Sequence, residues 1–409
     1  MKERRACMMD DRVHWIRLQQ ALGYGTARLD QLLNQFDNSA AAVCAAGPEE
    51  LRARGLLTAK QAEALRAASP EQALKILERC QALGCRVLTP PDPGYPALLR
   101  EIYSRPLVLY VLGGLDCLEV QLPIGIVGTR HNSEYGRRAA DLLGRELARC
   151  GAVVVSGMAA GIDTFAHTGA LKGGGKTVAV LGCGVDTAYP PQNRTLMDLI
   201  ALHGAVVSEY PPGTQPVGSN FPIRNRIISG LCRGVVVVEG QRRSGSLITA
   251  GHALAQGRDV FAVPGSIFES GSAGPHWLIS QGAIPVTCTR DILEEYLSIY
   301  PDTIDTASME QLASPRGAEP PRAPQPERPA APRPAPAPAK PAAAPPQKPP
   351  APLYLGDLQR RLYELMESTP QPVDALTARL GAPVTQVLSA LTQLEVYGLV
   401  EALPGHCYI

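Results

Sequence analysis

A dominant charge is missing from this chain. Its 39 Lys and Arg stand against 38 Asp and Glu, for a net charge of +1. It therefore does not coat polyanions by bulk attraction, and any nucleic-acid contact must come from locally clustered cations. Aromatic residues are scarce as well, at 5%, with 5 Phe and 2 Trp. An extended platform for stacking bases cannot be built from so few. No apolar run approaches the roughly 18 residues of a membrane span, and the opening MKERRACMMDDRVHW lacks the apolar core of a signal peptide. A cytoplasmic protein without a membrane partner is expected. The ten cysteines form neither CxxC pairs nor Cys/His ligand spacing, which argues against zinc and for ordinary thiols in a reducing compartment. No metal and no cofactor are expected.

Proline, by contrast, is abundant at 38 copies. Most of the excess lies between residues 301 and 352, where PRPAPAPAKPAAAPPQKPP cannot bury enough apolar surface to order itself. At about 3.1 Å per residue in polyproline geometry, such a linker can hold its flanks as much as roughly 120 Å apart. With 409 residues and 45% hydrophobic content, the length prior of about 100–200 residues per domain gives roughly two to four domains.

Residues 123–300 repeat one pattern of a short β-branched run, a Gly-containing loop and an amphipathic helix. Runs at 124–127, 153–155, 178–181, 206–207, 235–238 and 260–263 alternate with helical stretches at 135–149, 163–171, 194–202 and 247–255. Strands without polar alternation, separated by helices, predict an α/β fold with a Rossmann-like, doubly wound parallel sheet. Residues 1–85 read as an all-helical module. Its Gly23 and Gly25 between apolar stretches are compatible with a helix-hairpin-helix, or with a bundle packed for structure alone. Residues 86–122 read as a connecting segment. Residues 353–409 give three helices and an apolar tail in winged-helix-like order. No Lys or Arg follows Arg379, and the helix in the recognition position offers Thr385, Gln386, Ser389 and Glu395. Phosphate neutralisation there is poor, so a protein contact or a regulatory role is expected of this module.

In a doubly wound sheet, ligands bind outside the carboxyl ends of the strands. Five loops of this chain lie there. The first carries Gly128, Thr129 and Arg130, glycine for close backbone approach and arginine for a planar cationic fork. The second, Ser156, Gly157 and on to Gly161 and Asp163, offers small residues and amides suited to an anion. Asp163 and His167, one helical turn apart, read more simply as structural than as catalytic. The third, from Gly182 to Asn193, exceeds the usual 2–6 residues of such a connection, and its excess length points to binding. The fourth contributes Phe221, Arg224, Asn225 and Arg226, with both guanidiniums near a helix start and suited to phosphate. The fifth ends in Ser244, Gly245 and Ser246. The Gly173–Thr177 stretch GGGKT is no P-loop, because Ala170 replaces the first glycine and a strand follows. No nucleophilic serine motif, HExxH or GxGxxG marks an enzyme.

Taken in order, GTR, SGxxxGID with His167, GVDxxYPxxN, SEY, FPIRNRIISGL, VVVVEGxxxSGSLITA and FAVPG resemble the DNA processing protein A (DprA, or Smf) family. That resemblance covers the flanks too, since members have a helical amino-terminal module and many end in a winged helix. It implies a non-enzymatic protein that binds and protects single-stranded DNA, forms a homodimer and helps load a RecA-type recombinase during natural transformation. Carried onto this sequence, the DNA pocket involves Gly128, Thr129, Arg130, Ser156, Gly157, Phe221, Arg224, Asn225, Arg226, Ser244, Gly245 and Ser246. Ala160 departs from the family, many of whose members have Arg there. With so few aromatics, Phe221 and Tyr189 can each stack one base, and sequence-tolerant, salt-sensitive binding is expected. The competing reading is a nucleotide enzyme of the phosphoribohydrolase type, with Glu239 and Arg130 as a hydrolytic pair, although its PGGxGT motif is replaced here by SGSLIT.

Overall fold

The computed structural model describes residues 10–25, 28–312 and, near the carboxyl end, 355–366, 369, 371–396, 399–400, 402–403 and 407–408. The chain divides into two compact units, the first ending at Pro321.

The first unit opens with five helices, α1 (Arg12–Leu22), α2 (Arg28–Asn34), α3 (Ala40–Ala53), α4 (Ala59–Ala67) and α5 (Pro70–Ala82). Ser39, Thr58 and Ser69 start three of them, each side chain accepting a first-turn backbone N–H. Then follow β1 (Arg86–Leu88), α6 (Ala97–Arg100), β2 (Leu109–Gly113), β3 (Pro123–Val127), α7 (Glu134–Arg149), β4 (Val153–Ser156), α8 (Ile162–Lys172), β5 (Thr177–Leu181), α9 (Arg194–His203) and β6 (Ala205–Ser208). The unit continues through α10 (Asn220–Gly230), β7 (Gly234–Val237), α11 (Gly245–Ala255), β8 (Asp259–Ala262), α12 (Ala273–Ser280), β9 (Ile284–Pro285), α13 (Arg290–Leu297) and α14 (Thr306–Glu310).

Nine strands form one sheet in the order β1-β2-β6-β5-β4-β3-β7-β8-β9. From β6 to β9 every pairing is parallel, and β2 and β1 add antiparallel at the edge. The strand β3 and the strands β4 to β7 are buried along their whole length, which is why their sequences show no alternation. Odd and even residues of a strand feed different cores. Val178 and Val180 face a cluster with Ile227, Ala250 and Leu278, while Ile124 and Val154 face one with Leu143, Ala166 and Tyr296.

Three expectations about boundaries change. The amino-terminal helices share one core with the sheet, because Trp15, Leu18 and Leu33 pack in the same cluster as Ala179, Leu181 and Val206. Residues 86–122 are not a mere connection, since β1 and β2 extend the sheet by two strands. Residues 301–312 fold as well: Ile304 and Met309 are buried against Leu147 and Tyr296. The remainder of the expected linker, 313–352, lies outside the described residues.

The second unit has its own core of Leu362, Leu376, Val387, Leu391 and Leu394. It consists of α15 (Asp357–Leu365), β10 (Gln371–Pro372), α16 (Val373–Leu380), α17 (Val384–Val396), β11 (Ala402–Leu403) and β12 (Cys407–Tyr408), with a sheet ordered β10-β12-β11. This is the winged-helix arrangement. Gly381, in the left-handed conformation, ends α16 and lets α17 start three residues later.

Candidate nucleic-acid interface

The loops after β3 and the amino-terminal ends of α10 and α11 meet at the carboxyl edge of the sheet, as a doubly wound topology requires. Between them lies an open cleft of about 390 Å³, lined by Gly128, Thr129, Arg130, Phe221, Arg224, Asn225, Ser244, Gly245 and Ser246 among others. Nine of the thirteen residues proposed from sequence thus share one cavity.

Phe221 is its centre. The ring lies beneath the Arg130 guanidinium at 5.3 Å and beside that of Arg224 at 5.8 Å, two cation–π contacts on one aromatic. Tyr189 reaches the same ring at 5.2 Å, so the two aromatics brace each other. Pro222, in the first turn of α10, needs no N–H partner there. Arg130 is exposed, whereas Arg224 is 3% exposed. Arg224 donates through Nη1 to the carbonyls of Gly157 (2.8 Å) and Val180, and through Nε to Asn225 Oδ1 (3.3 Å). Burial holds its pKa down at about 10. It remains a cation at neutral pH, fixed in place behind the ring.

Four of the proposed residues stand behind the cleft. Ser156 is fully buried and donates to the Ile126 carbonyl at 2.6 Å. Gly157 is glycine because a Cβ there would press into the Arg224 guanidinium. Gly161 has φ +85°, and a Cβ would strike the Thr129 carbonyl, so it holds the first two loops together. Arg226 is the largest departure. It is 5% exposed and binds Glu209 at 2.7 and 2.8 Å, away from the cleft. Glu209 in turn accepts from Gln19 of α1 at 3.0 Å, and Gln19 Oε1 accepts the backbone N–H groups of Leu107 and Val108.

The second loop offers fewer free amides than its sequence implies, because Gly157 and Ala159 both donate to Asp163 Oδ2, at 3.2 and 3.3 Å. An internal carboxylate already occupies the anion position. Asp163 is buried, which pushes its pKa upward against the nearby Arg224 charge. His167 is fully buried and contacts the Thr177 hydroxyl at 2.7 Å through Nδ1. That hydroxyl gives its proton to the Val154 carbonyl, so the imidazole must be the donor. Burial lowers its pKa to about 3. Both side chains are thus engaged in hydrogen bonds within the fold. The long third loop is tied down internally too: Asn193 donates to Met158 and Thr164, and Asp186 holds Gly213 and Arg79. Its length serves packing, apart from Tyr189.

Glu239 and Arg130 do not form a pair. The Glu239 carboxylate accepts the backbone N–H of Ser133 at 2.9 Å through Oε2 and the Ser133 hydroxyl through Oε1. It lines a neighbouring cleft of about 500 Å³. Residues that sequence reasoning missed at the main cleft are Gly218, Ile228 and Thr249. Ile228 and Thr249 lie one turn from Arg224 and Gly245 on α10 and α11, where helical periodicity was the available signal, whereas Gly218 lies in the turn before α10.

No helix among the described residues is long and apolar enough to cross a membrane, and no cluster of three or more metal-ligating side chains occurs among them.

Comparison with known proteins gives consistent relatives. Residues 86–297 match the family model of DNA recombination-mediator protein A, and residues 319–406 match the DprA winged helix domain. Protein Smf of Synechocystis is 37% identical over 348 residues, 82% of each chain. Protein Smf of Escherichia coli is 39% identical over 312 residues, 76% of this chain and 74% of the relative. The crystal structure of DNA processing protein A from Streptococcus pneumoniae is 36% identical, with a TM-score of 0.60 over 70% of this chain and 99% of that one. On the motifs, the sheet and these matches together, this chain belongs to the DNA recombination-mediator protein A (DprA/Smf) family.

Proposed function

We propose that this protein binds single-stranded DNA in the cleft around Phe221, protects it, and passes it to a RecA-type recombinase as a non-enzymatic mediator. The observation that carries this reading is the exposed Arg130 guanidinium over the Phe221 ring, with the fixed cation of Arg224 behind it. A phosphodiester meets charge there while an unstacked base meets an aromatic face, the combination that single strands require. A duplex keeps its bases paired and gains nothing from Phe221. Membership of a family described as DNA recombination mediators supports the recombinase as recipient.

The non-enzymatic reading is supported by Glu239, which is engaged by Ser133 and not held as a hydrolytic partner of Arg130. The site proper consists of Gly128, Thr129, Arg130, Phe221, Arg224, Asn225, Ser244, Gly245 and Ser246. The roles of Ser156, Gly157, Gly161 and Arg226 are to shape it from behind. Self-association into a homodimer is supported by Ile267 and Phe268, which stand 81% and 90% exposed after β8. Action in the cytoplasm fits a partner that works on chromosomal DNA. Nuclease protection tests the reading: the wild type should shield a labelled single strand, and Arg130→Ala should leave it digestible. Equal protection by both would refute it.

A further inference from the structure

Beside the Phe221 cleft lies the second one of about 500 Å³, and the two share Thr129, His131 and Ser244. A strand leaving the first has this cavity in its path. The two differ in chemistry. The first is framed by Arg130 and Arg224, whereas the second is lined by Glu239, a carboxylate only 5% exposed, together with the exposed side chains of Arg243 and Glu269. A buried carboxylate repels a phosphate and attracts an N–H donor.

Glu239 is also incompletely used. A carboxylate offers about four lone-pair sites, and among the described residues the hydrogen bonds to the Glu239 carboxylate come from Ser133, one to each oxygen. Its position is built in, because a Cβ at Gly136 would collide with the carboxylate and Gly271 lies against its stem. Ser133, which caps α7 by accepting from Gly136 at 3.0 Å, fixes the other side. The arrangement is a fixed acceptor with spare capacity, facing a cavity next to a base-stacking ring.

We infer that this second cleft is a nucleobase-edge subsite in which Glu239 accepts a hydrogen bond from an exocyclic amine, so that cytosine, adenine or guanine is preferred to thymine or uracil at that nucleotide. The inference rests on the single-strand reading above. Cytosine presents its N4 amine as a donor, whereas thymine and uracil present the O4 carbonyl there, which faces the carboxylate with like polarity. Backbone contacts stay sequence-tolerant, and the edge adds a bias upon them.

The experiment compares oligo-dC with oligo-dU of equal length on the full-length protein by fluorescence anisotropy at one salt concentration. These bases have closely similar size and stacking faces and differ at the 4-position, an amine donor in cytosine and a carbonyl in uracil, and at N3, an acceptor in cytosine and an N–H donor in uracil. The wild type should bind oligo-dC about five- to tenfold more tightly, the share of one charge-assisted hydrogen bond. Glu239→Gln should bring the two to within about twofold. A probe that leaves the protein untouched is N4,N4-dimethyl-deoxycytidine, which lacks the N–H donors; its oligomer should fall to the oligo-dU level. Equal binding of oligo-dC and oligo-dU by the wild type, lost in Arg130→Ala, would overturn the subsite and leave the single-strand reading standing. Retention of full affinity by the dimethyl oligomer would overturn it likewise. Binding of neither oligomer would overturn both.

Discussion

Arg226 and Glu209 form an ion pair in which Nη2 lies 2.7 and 2.8 Å from the two carboxylate oxygens, with side chains 6% and 1% exposed. This pair sits where helix α10, the end of β6 and helix α1 meet, since Glu209 also accepts from Gln19. The helix that carries Phe221 and Arg224 into the cleft is therefore anchored on its far side to the amino-terminal module. Tyr24 against Tyr210, with ring centroids 4.4 Å apart, adds to the same junction.

Removing one partner of a buried pair leaves the other uncompensated and costs about 3–5 kcal/mol. Arg226→Ala and Glu209→Ala are thus expected to lower stability by that amount. Arg130→Ala, at an exposed position, should change it by no more than about 0.5 kcal/mol. Urea denaturation of the three variants checks the contrast. Comparable destabilisation by Arg130→Ala would be inconsistent with its place at the cleft mouth.

Phe221 is expected to act through its face. Phe221→Ala should weaken binding of a single strand by about 1–3 kcal/mol, the usual worth of a base–aromatic stack, and Phe221→Tyr should retain most of the affinity. Anisotropy titrations with these two variants and with Phe221→Leu separate stacking from a merely apolar contribution, which only the last would preserve.

Acid stability should depend on His167. Its folded-state pKa of about 3 lies below the ordinary value of 6.5, so the unfolded chain takes up a proton before the folded one does. The stability due to neutral His167 is present in full above about pH 6.5 and is lost as pH falls towards 3. Thermal unfolding between pH 4 and 7 should show a steep decline in the wild type. His167→Gln should be less stable at neutral pH and show a shallower decline. An unchanged slope in the variant would assign the acid limb to other groups.

The winged-helix unit should not bind duplex DNA strongly. Among the described side chains of α17, the polar ones that are exposed are Gln386 and Ser389, and no Lys or Arg follows Arg379 in the sequence. The 353–409 fragment has a core of its own and can be titrated alone. Submicromolar binding of a duplex at physiological salt would contradict a protein-contact or regulatory role.

Much of this was legible beforehand, and the reasons are local. The β-branched runs at 124–127 and 178–181 fall within a residue of β3 and β5, because strands buried on both faces must be continuously apolar. The cleft loops were found because helix starts at strand ends are anion sites on any doubly wound sheet. Arg226 is placed in the pocket by sequence and beside Glu209 behind the cleft by the structure, a difference that periodicity could have signalled. Residues two apart on a helix point about 200° from each other, so Arg224 and Arg226 cannot both face one ligand. Its partner Glu209 lies seventeen residues away and Gln19 lies 190 residues from Glu209, separations that no local pattern reveals. The free amides expected at Gly157 and Ala159 were a similar case, since only the fold turns Asp163 back onto them. At the end of the core, Ile304 and Met309 were apolar signals within a stretch assigned to the linker on its proline content.

Anisotropy of a labelled oligo-dT and of the matching duplex, for the wild type and Arg130→Ala across a salt series, tests the central claim most directly. The account predicts that the wild type prefers the single strand, that its affinity falls as salt rises, and that Arg130→Ala loses about tenfold or more while remaining folded. Single-strand affinity that is unchanged in Arg130→Ala, or equal affinity for the duplex, would contradict it and move the DNA site away from the Phe221 cleft.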